Sequence, residues 1–217
     1  MILVRTKTIH TVDVILFCSI VPSIILHEIS HGWVALAFGD DTAKRAGRLT
    51  LNPIAHIDPI GTIVLPALMA ISGLGMFGWA KPVPVSVGKL RHPRNESVVV
   101  ALAGPATNLV LAGTAAVVFI VFGGVTAHGT FAGLWAQVAF YFGLVNIWLA
   151  AFNLIPLPPL DGSAVVERML PMKWWPAYLR IRPYTLAILL VLLLFGRGVL
   201  TNLFGHLENW WITLLTP

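Results

Sequence analysis

The stretch VDVILFCSIVPSIILHEISHGWVALAF, Val12 to Phe38, decides how the rest of the chain is read. Its 27 residues exceed the ~20 apolar residues that an α-helix needs to cross a hydrocarbon core. Yet His27, Glu28 and His31 stand inside it. An ionisable group at the centre of a membrane span costs about 2.5–3.5 kcal/mol on insertion scales, so such groups face protein or water and carry function by default. On a helix, His27 and His31 lie one turn apart on one face, the H-E-x-x-H spacing that lets two imidazoles bind one metal ion. Glu28 beside them is placed to take a proton from the hydrolytic water. A pair of buried, hydrogen-bonded histidines with a paired glutamate is the purely structural alternative, and the membrane cost weighs against it.

The composition extends this reading to the whole chain. The 217 residues are 57% hydrophobic and 11% charged, against about 25% charged in a soluble domain. The fold class expected is all-α, a polytopic integral membrane helical bundle whose partner is the lipid bilayer. The net charge of +5 is then a matter of orientation, because basic loops mark the cytoplasmic side. No nucleic-acid partner is expected. The single cysteine, Cys18, cannot form an internal disulfide and reads as a small buried hydrophobe. Arg5 and Lys7 before an apolar run, with Ala35-Leu36-Ala37 after it, resemble a signal peptide, but the charged cluster interrupts the run and cleavage is not expected.

Residues 98–122 and 131–155 are two further spans, each without a formal charge. Residues 184–203 form a fourth candidate, with Arg197 near enough to its end to snorkel. The tail, 203–215, has the pattern of an interfacial or short final helix with Trp210 and Trp211 as anchors. One membrane-embedded domain over 1–217 is expected.

The loop Gly123–Thr130 carries no Lys or Arg, whereas 81–94 and 168–182 carry four each. That bias puts the two basic loops in the cytoplasm and the short loop outside. The N-terminus then faces out despite Arg5 and Lys7. Both flanks of Ile60–Met76 are then cytoplasmic, so this segment, with Pro66, Gly73 and Gly75, is expected to be a re-entrant or protein-buried hairpin. A fifth full span with reversed topology upstream is the alternative. On this topology the histidines lie roughly 10–17 Å inside the cytoplasmic helix end, so a polar cavity is implied.

A catalytic zinc has three protein ligands and one open position. Candidates for the third are Asp161, His56, Asp58, Glu167 and His128. His128 is in the external loop. Glu167 has basic neighbours, Arg168 and Lys173, to pair with. His56 and Asp58 share a loop with the histidine helix. Asp161 lies in FNLIPLPPLDGS, where Pro156, Pro158 and Pro159 stop a helix and hold the chain extended. Such a break can return a carboxylate to a neighbouring helix, although Asp161 could instead cap a helix starting near Ser163.

HEISH in one span, AGPATN (Ala103–Asn108) opening another and FNLIPLPPLDG ending a third together resemble the site-2 protease family of intramembrane zinc metalloproteases. NPIAHIDPIGT (Asn52–Thr62) and GWAKPVPV (Gly78–Val85) are similar to a bacterial subgroup. The resemblance implies that His27, His31 and Asp161 hold one zinc ion and that Glu28 is the catalytic acid/base. It implies that Asn153 orients substrate or stabilises the oxyanion. On the residues alone, Asn153 could equally satisfy backbone groups freed by the Pro-rich break, and Asn108 could serve helix packing. Ser163 stands where Gly is frequent in the family and leaves the ligand intact. The resemblance further implies a membrane-anchored protein substrate, such as an anti-sigma factor, cut in regulated proteolysis at the cytoplasmic side of the cell membrane. The PDZ and CBS domains of some members are not expected here. A non-proteolytic membrane binding protein retaining the fold is the alternative, and the intact Glu28 weighs against it.

Overall fold

The computed structural model describes residues 11–64, 68, 78–126 and 129–216. The expectations for Arg5 and Lys7, for most of the hairpin beyond Val64 and for His128 lie outside the described residues. In chain order the helices are α1 (Thr11–Ala37), a single turn α2 (Thr42–Arg45), α3 (Pro93–Val121), α4 (Leu134–Asn153), α5 (Ser163–Met169), α6 (Trp175–Ile181), α7 (Thr185–Phe195) and α8 (Arg197–Leu215). Among the described residues there is no β-strand. The protein is an all-α membrane protein.

Helices α1, α3 and α4 are long and apolar enough to cross a membrane, and they pack on one another. Their outer faces stay apolar, with Phe17, Val110, Val117 and Trp135 all exposed. In water that surface would be an association patch; in a bilayer it meets hydrocarbon. Between the helices the contacts are small: Ala112 and Ala115 of α3, and Ala136, Ala139, Gly143 and Ala150 of α4, are buried. Small residues let backbones approach closely where no hydrophobic drive separates helix from lipid. Cys18 is exposed on α1, so it faces outward rather than being buried as expected.

Helix α3 starts five residues before the apolar run at 98. Pro93 occupies its first turn, and the Glu96 carboxylate accepts from His92 N–H at 3.0 Å, satisfying a donor that the helix start leaves orphaned. The α3–α4 connection turns through Gly123, Gly124 and Gly129, whose φ angles are 84°, 57° and 73°, a region that favours glycine. Val125 and Phe131 pair across it, which delays α4 to Leu134.

The C-terminal part departs from expectation. The span expected over 184–203 is two helices, because the chain breaks at Gly196, where a Cβ would lie 2.5 Å from Leu192 O. The tail, expected as an interfacial or short final helix, forms the C-terminal part of α8. Trp211 is buried against α4, its Nε1 donating to Phe140 O at 3.1 Å. A Cβ at Gly143 would lie 2.3 Å from its ring, so the glycine makes the seat. Trp210, next in sequence but about 100° round the helix, is exposed.

The basic segments gather at one end of the bundle. Arg91 Nη2 donates to Ala37 O at 3.0 Å, at the C-terminus of α1, where a cation is favoured. Arg94 Nη2 donates to Arg168 O at 3.2 Å, and Arg168 Nε to Asn95 Oδ1 at 2.7 Å. At the same end Asp40 is fully enclosed; it accepts from Thr42 N–H at 3.0 Å, Ser86 N–H at 2.5 Å and the Thr42 hydroxyl, with Lys89 Nζ 4.0 Å away. Burial pushes the Asp40 carboxyl up, but these donors and the Lys89 charge outweigh it and hold it below the usual range. Arg48 Nη2 adds a bond to Lys81 O at 2.6 Å, and Lys81 N–H donates to His56 O at 2.9 Å. These clips lay the irregular segment 78–86 against the end of α1.

Candidate metal centre

Helix α3 presents Val100, Gly104 and Asn108 four residues apart, hence along one stripe. His31 Nδ1 donates to Val100 O at 2.7 Å, and His27 Nδ1 bonds Asn108 Oδ1 at 2.5 Å. Gly104 lies between these anchors. A Cβ there would come within 2.5 Å of both His27 Cε1 and His31 Nε2, so only glycine admits the two imidazoles. The rings stand edge to face, 4.8 Å apart. Glu28 is half-buried, and its Oε2 accepts from Val83 N–H at 2.8 Å. The clipped segment 78–86 therefore positions this carboxylate.

Asp161 arrives from the Pro-rich loop after α4. Gly162 N–H donates to Asn153 O at 2.7 Å and closes that loop. A Cβ at Gly162 would lie 2.3 Å from Leu154 O, so the fold-back requires glycine. Asp161 makes no side-chain cap to α5, whose capping residue is Gly162. Its Oδ2 lies 3.1 Å from His27 Nε2 and 3.5 Å from His31 Nε2.

Proton positions decide what this triangle means. Val100 O can only accept, so His31 carries its hydrogen on Nδ1. If each ring is neutral with its proton on Nδ1, both Nε2 atoms present lone pairs to a carboxylate oxygen that also offers only lone pairs. The buried Asp161 Oδ2 has no hydrogen-bond partner among the described residues, which agrees with that assignment. Three acceptors facing one another require an extra proton or a cation between them. His27, His31 and Asp161 offer donor atoms within 4.8 Å of one another. Two imidazoles and a carboxylate leaving one position open is the donor pattern of a catalytic zinc, so the residues fit the metal.

The other sequence candidates are elsewhere engaged. His56 Nε2 bonds Thr50 O at 2.9 Å. Asp58 Oδ1 accepts from the amides of Ile60 and Gly61, closing a turn. Glu167 accepts from the Tyr178 hydroxyl at 2.5 Å rather than pairing with Arg168 or Lys173. Burial, then the hydrogen bond to Glu167 and its charge, push that tyrosine's pKa up. Asn153 donates from its side chain to Leu149 O at 2.9 Å, one turn back on its own helix. Sequence reasoning missed Gly104, Val83, Ser23 and Asn146 as parts of the site. Ser23 and Asn146, polar residues in apolar spans, were the available signal.

The fold and the site define a helical membrane protein in which two histidines and a carboxylate converge as a candidate metal centre. The chain belongs to the site-2 protease family, peptidase family M50, whose family model matches residues 125–196. It is 42% identical over 165 residues to "Putative zinc metalloprotease YwhC" of Bacillus subtilis (strain 168), covering 72% of this chain and 69% of that protein. It is 32% identical over 195 residues to "Putative zinc metalloprotease Rip2" of Mycolicibacterium smegmatis, covering 87% and 69%. The Rip2 of Mycobacterium tuberculosis (strain ATCC 25618 / H37Rv) is 34% identical over 173 residues, covering 79% and 63%. No solved structure shows a significant match. Zinc is the metal of this family, and the protein is a metallopeptidase of it.

Proposed function

We propose that the chain is an intramembrane zinc metalloendopeptidase that cuts a membrane-anchored protein in or next to its transmembrane segment. His27, His31 and Asp161 hold one zinc, and Glu28 is the acid/base. The observation that carries this reading is the convergence of two imidazole Nε2 atoms on an Asp161 oxygen that has no hydrogen-bond partner among the described residues, inside a bundle whose outer face suits lipid. A bound zinc supplies Lewis-acid polarisation of the scissile carbonyl. The Glu28 carboxylate, steadied by Val83 N–H, takes a proton from the attacking water and returns it to the leaving amine. Asn153 orients the substrate or stabilises the oxyanion, which requires its amide to exchange Leu149 O for the substrate carbonyl. A substrate helix must unwind locally, because its carbonyls are shielded by the helix itself.

The four basic residues of 81–94, against none in 123–130, support a cytoplasm-facing site in the cell membrane, and the family resemblance suggests a role in regulated proteolysis of membrane-anchored regulators. Labelling single cysteines in these two loops, after replacing Cys18, reads the orientation. Both labels on one face would overturn it. The activity test compares wild type and Glu28→Gln in liposomes on a transmembrane substrate with a helix-weakening Gly or Pro, with zinc content measured alongside. A fall of about 10²–10⁴-fold with zinc retained is expected. Equal cleavage removes Glu28 as the base. No cleavage of several such substrates by zinc-loaded wild type would favour a non-proteolytic binding protein.

A further inference from the structure

His27 has a neighbour that, unlike a backbone carbonyl, can face it either way round. The side-chain amide of Asn108 can present oxygen or nitrogen to the imidazole. Presented with oxygen, it makes His27 a donor at Nδ1 and leaves the Nε2 lone pair toward Asp161. Presented with nitrogen, it makes Nδ1 the acceptor, moves the hydrogen to Nε2 and removes His27 as a ligand. What fixes the choice lies on α4 and one turn earlier on the same face of α1.

Asn146 Nδ2 donates to Phe142 O at 2.8 Å and to Ser23 Oγ at 2.9 Å. Phe142 O is a carbonyl and accepts only, so the orientation of the Asn146 amide is determined. Ser23 Oγ spends its own hydrogen on Ser19 O at 2.7 Å and is likewise available as an acceptor. With both nitrogen hydrogens used, Asn146 turns its Oδ1 to Asn108, which donates Nδ2 to it at 2.8 Å. The Asn108 oxygen is therefore left facing His27 Nδ1. Each link has one polarity, set by two backbone carbonyls outside the metal centre. Ser23, Asn108 and Asn146 are completely buried, so water does not compete for these bonds.

We propose that Asn146 is a positioning residue: acting through Asn108, it locks the Nδ1–H tautomer of His27 and so presents Nε2 to zinc. This rests on the reading that His27 is a metal ligand. The residues that orient a ligating histidine typically change metal affinity about 10–100-fold when removed. Asn146→Leu deprives Asn108 of its acceptor and frees its amide to turn over. Adding Asn108→Asp to that variant supplies a group with no amide face, whose carboxylate form only accepts from His27.

The test is zinc affinity by chelator competition on the full-length protein in detergent. Asn146→Leu should bind zinc about 10–100-fold more weakly, and Asn108→Asp in the same chain should recover most of the loss. A packing role for Asn146 predicts no such rescue, so a double variant as weak as Asn146→Leu overturns the proposal. Affinity within twofold of wild type in Asn146→Leu overturns it as well. The nitrogen-15 spectrum of the wild-type histidines is a second measurement that needs no variant. His27 should carry its hydrogen on Nδ1 in both zinc-stripped and zinc-loaded protein, and a neutral His27 protonated at Nε2 in the stripped form overturns the lock. His27→Ala separates the two ideas. If it keeps wild-type zinc affinity, the ligand assignment itself has failed; if it loses zinc while Asn146→Leu does not, only the positioning role has.

Discussion

Two buried polar clusters sit close together, one in the C-terminal half of α1 and one just past its end, and they are wired differently. Around Asp40, just past the end of α1, acceptors meet donors: two backbone amides, a hydroxyl and a nearby ammonium converge on one carboxylate. Around Asp161, acceptors meet acceptors, because both histidines send their Nδ1 sides away to α3. The first arrangement is complete as it stands and holds a loop. The second is incomplete without an extra proton or a cation. A buried carboxylate alone therefore says little about function; the polarity of what faces it says much more. Satisfied clusters stabilise, and clusters left short of hydrogens bind.

The largest effect should come from breaking the incomplete cluster. His27→Ala and His31→Ala should each lower zinc affinity by more than about 100-fold, beyond the range of outer-shell changes. Asp161→Ala should lower it substantially. Metal analysis after dialysis against a chelator measures all three. Undiminished zinc in Asp161→Ala with loss in His56→Ala would move the third ligand to the loop and undo the contrast with Asp40.

A sharper comparison uses two glycines with equal crowding and different neighbours. In Gly104→Ala the new methyl meets His27 and His31 at about the 2.5 Å measured for an ideal Cβ; in Gly143→Ala it meets the Trp211 ring at 2.3 Å. Displacing a reacting group by about 1 Å can cost about 10²-fold in rate, so Gly104→Ala should lose cleavage on that scale and bind zinc more weakly. Gly143→Ala should instead cost about 1–3 kcal/mol of stability by overpacking, read as a lower melting temperature, with zinc affinity unchanged. Equal zinc affinities for the two variants would show that Gly104 is ordinary packing.

The histidine helix and the Pro-rich aspartate loop were legible in the sequence for physical reasons. Ionisable groups in a lipid span are costly, and a Pro-rich break is visible in one dimension. The partners were not legible. His31 is held by Val100 O, and a backbone carbonyl leaves no mark on residue identity. Asn108 stood out as polar in an apolar run, but only the packing of α3 on α1 shows that it faces His27. Trp210 and Trp211 were indistinguishable in the tail, because helical periodicity marks an apolar face without saying whether lipid or protein covers it. Glu167 found a tyrosine eleven positions away that no i,i+4 rule would supply.

The smallest effect concerns the complete cluster. Asp40→Asn should replace an acceptor oxygen by an NH₂ group that faces donors from Thr42 or Ser86. Leaving such a buried donor unsatisfied costs about 1–3 kcal/mol, confined to the loop and the segment 81–91. The same bonds make the clip sensitive to acid. The folded carboxyl titrates below its ordinary value of 3.8, so its contribution is fully present above that value and is lost as pH falls through the lowered one. The surface pairs of Asp41 with Arg45 and Lys89 add little, because exposed ion pairs are screened. Hydrogen exchange at the Thr42 and Ser86 amides, corrected for the intrinsic pH dependence, measures the clip directly. Wild-type protection should drop on acidification below about pH 4, whereas Asp40→Asn should start low and show no such drop. Zinc affinity should be the same in both near neutral pH. A variant that keeps wild-type protection and its acid transition would mean that Asp40 does not hold the loop, and the distinction between the two carboxylates would lose its structural half.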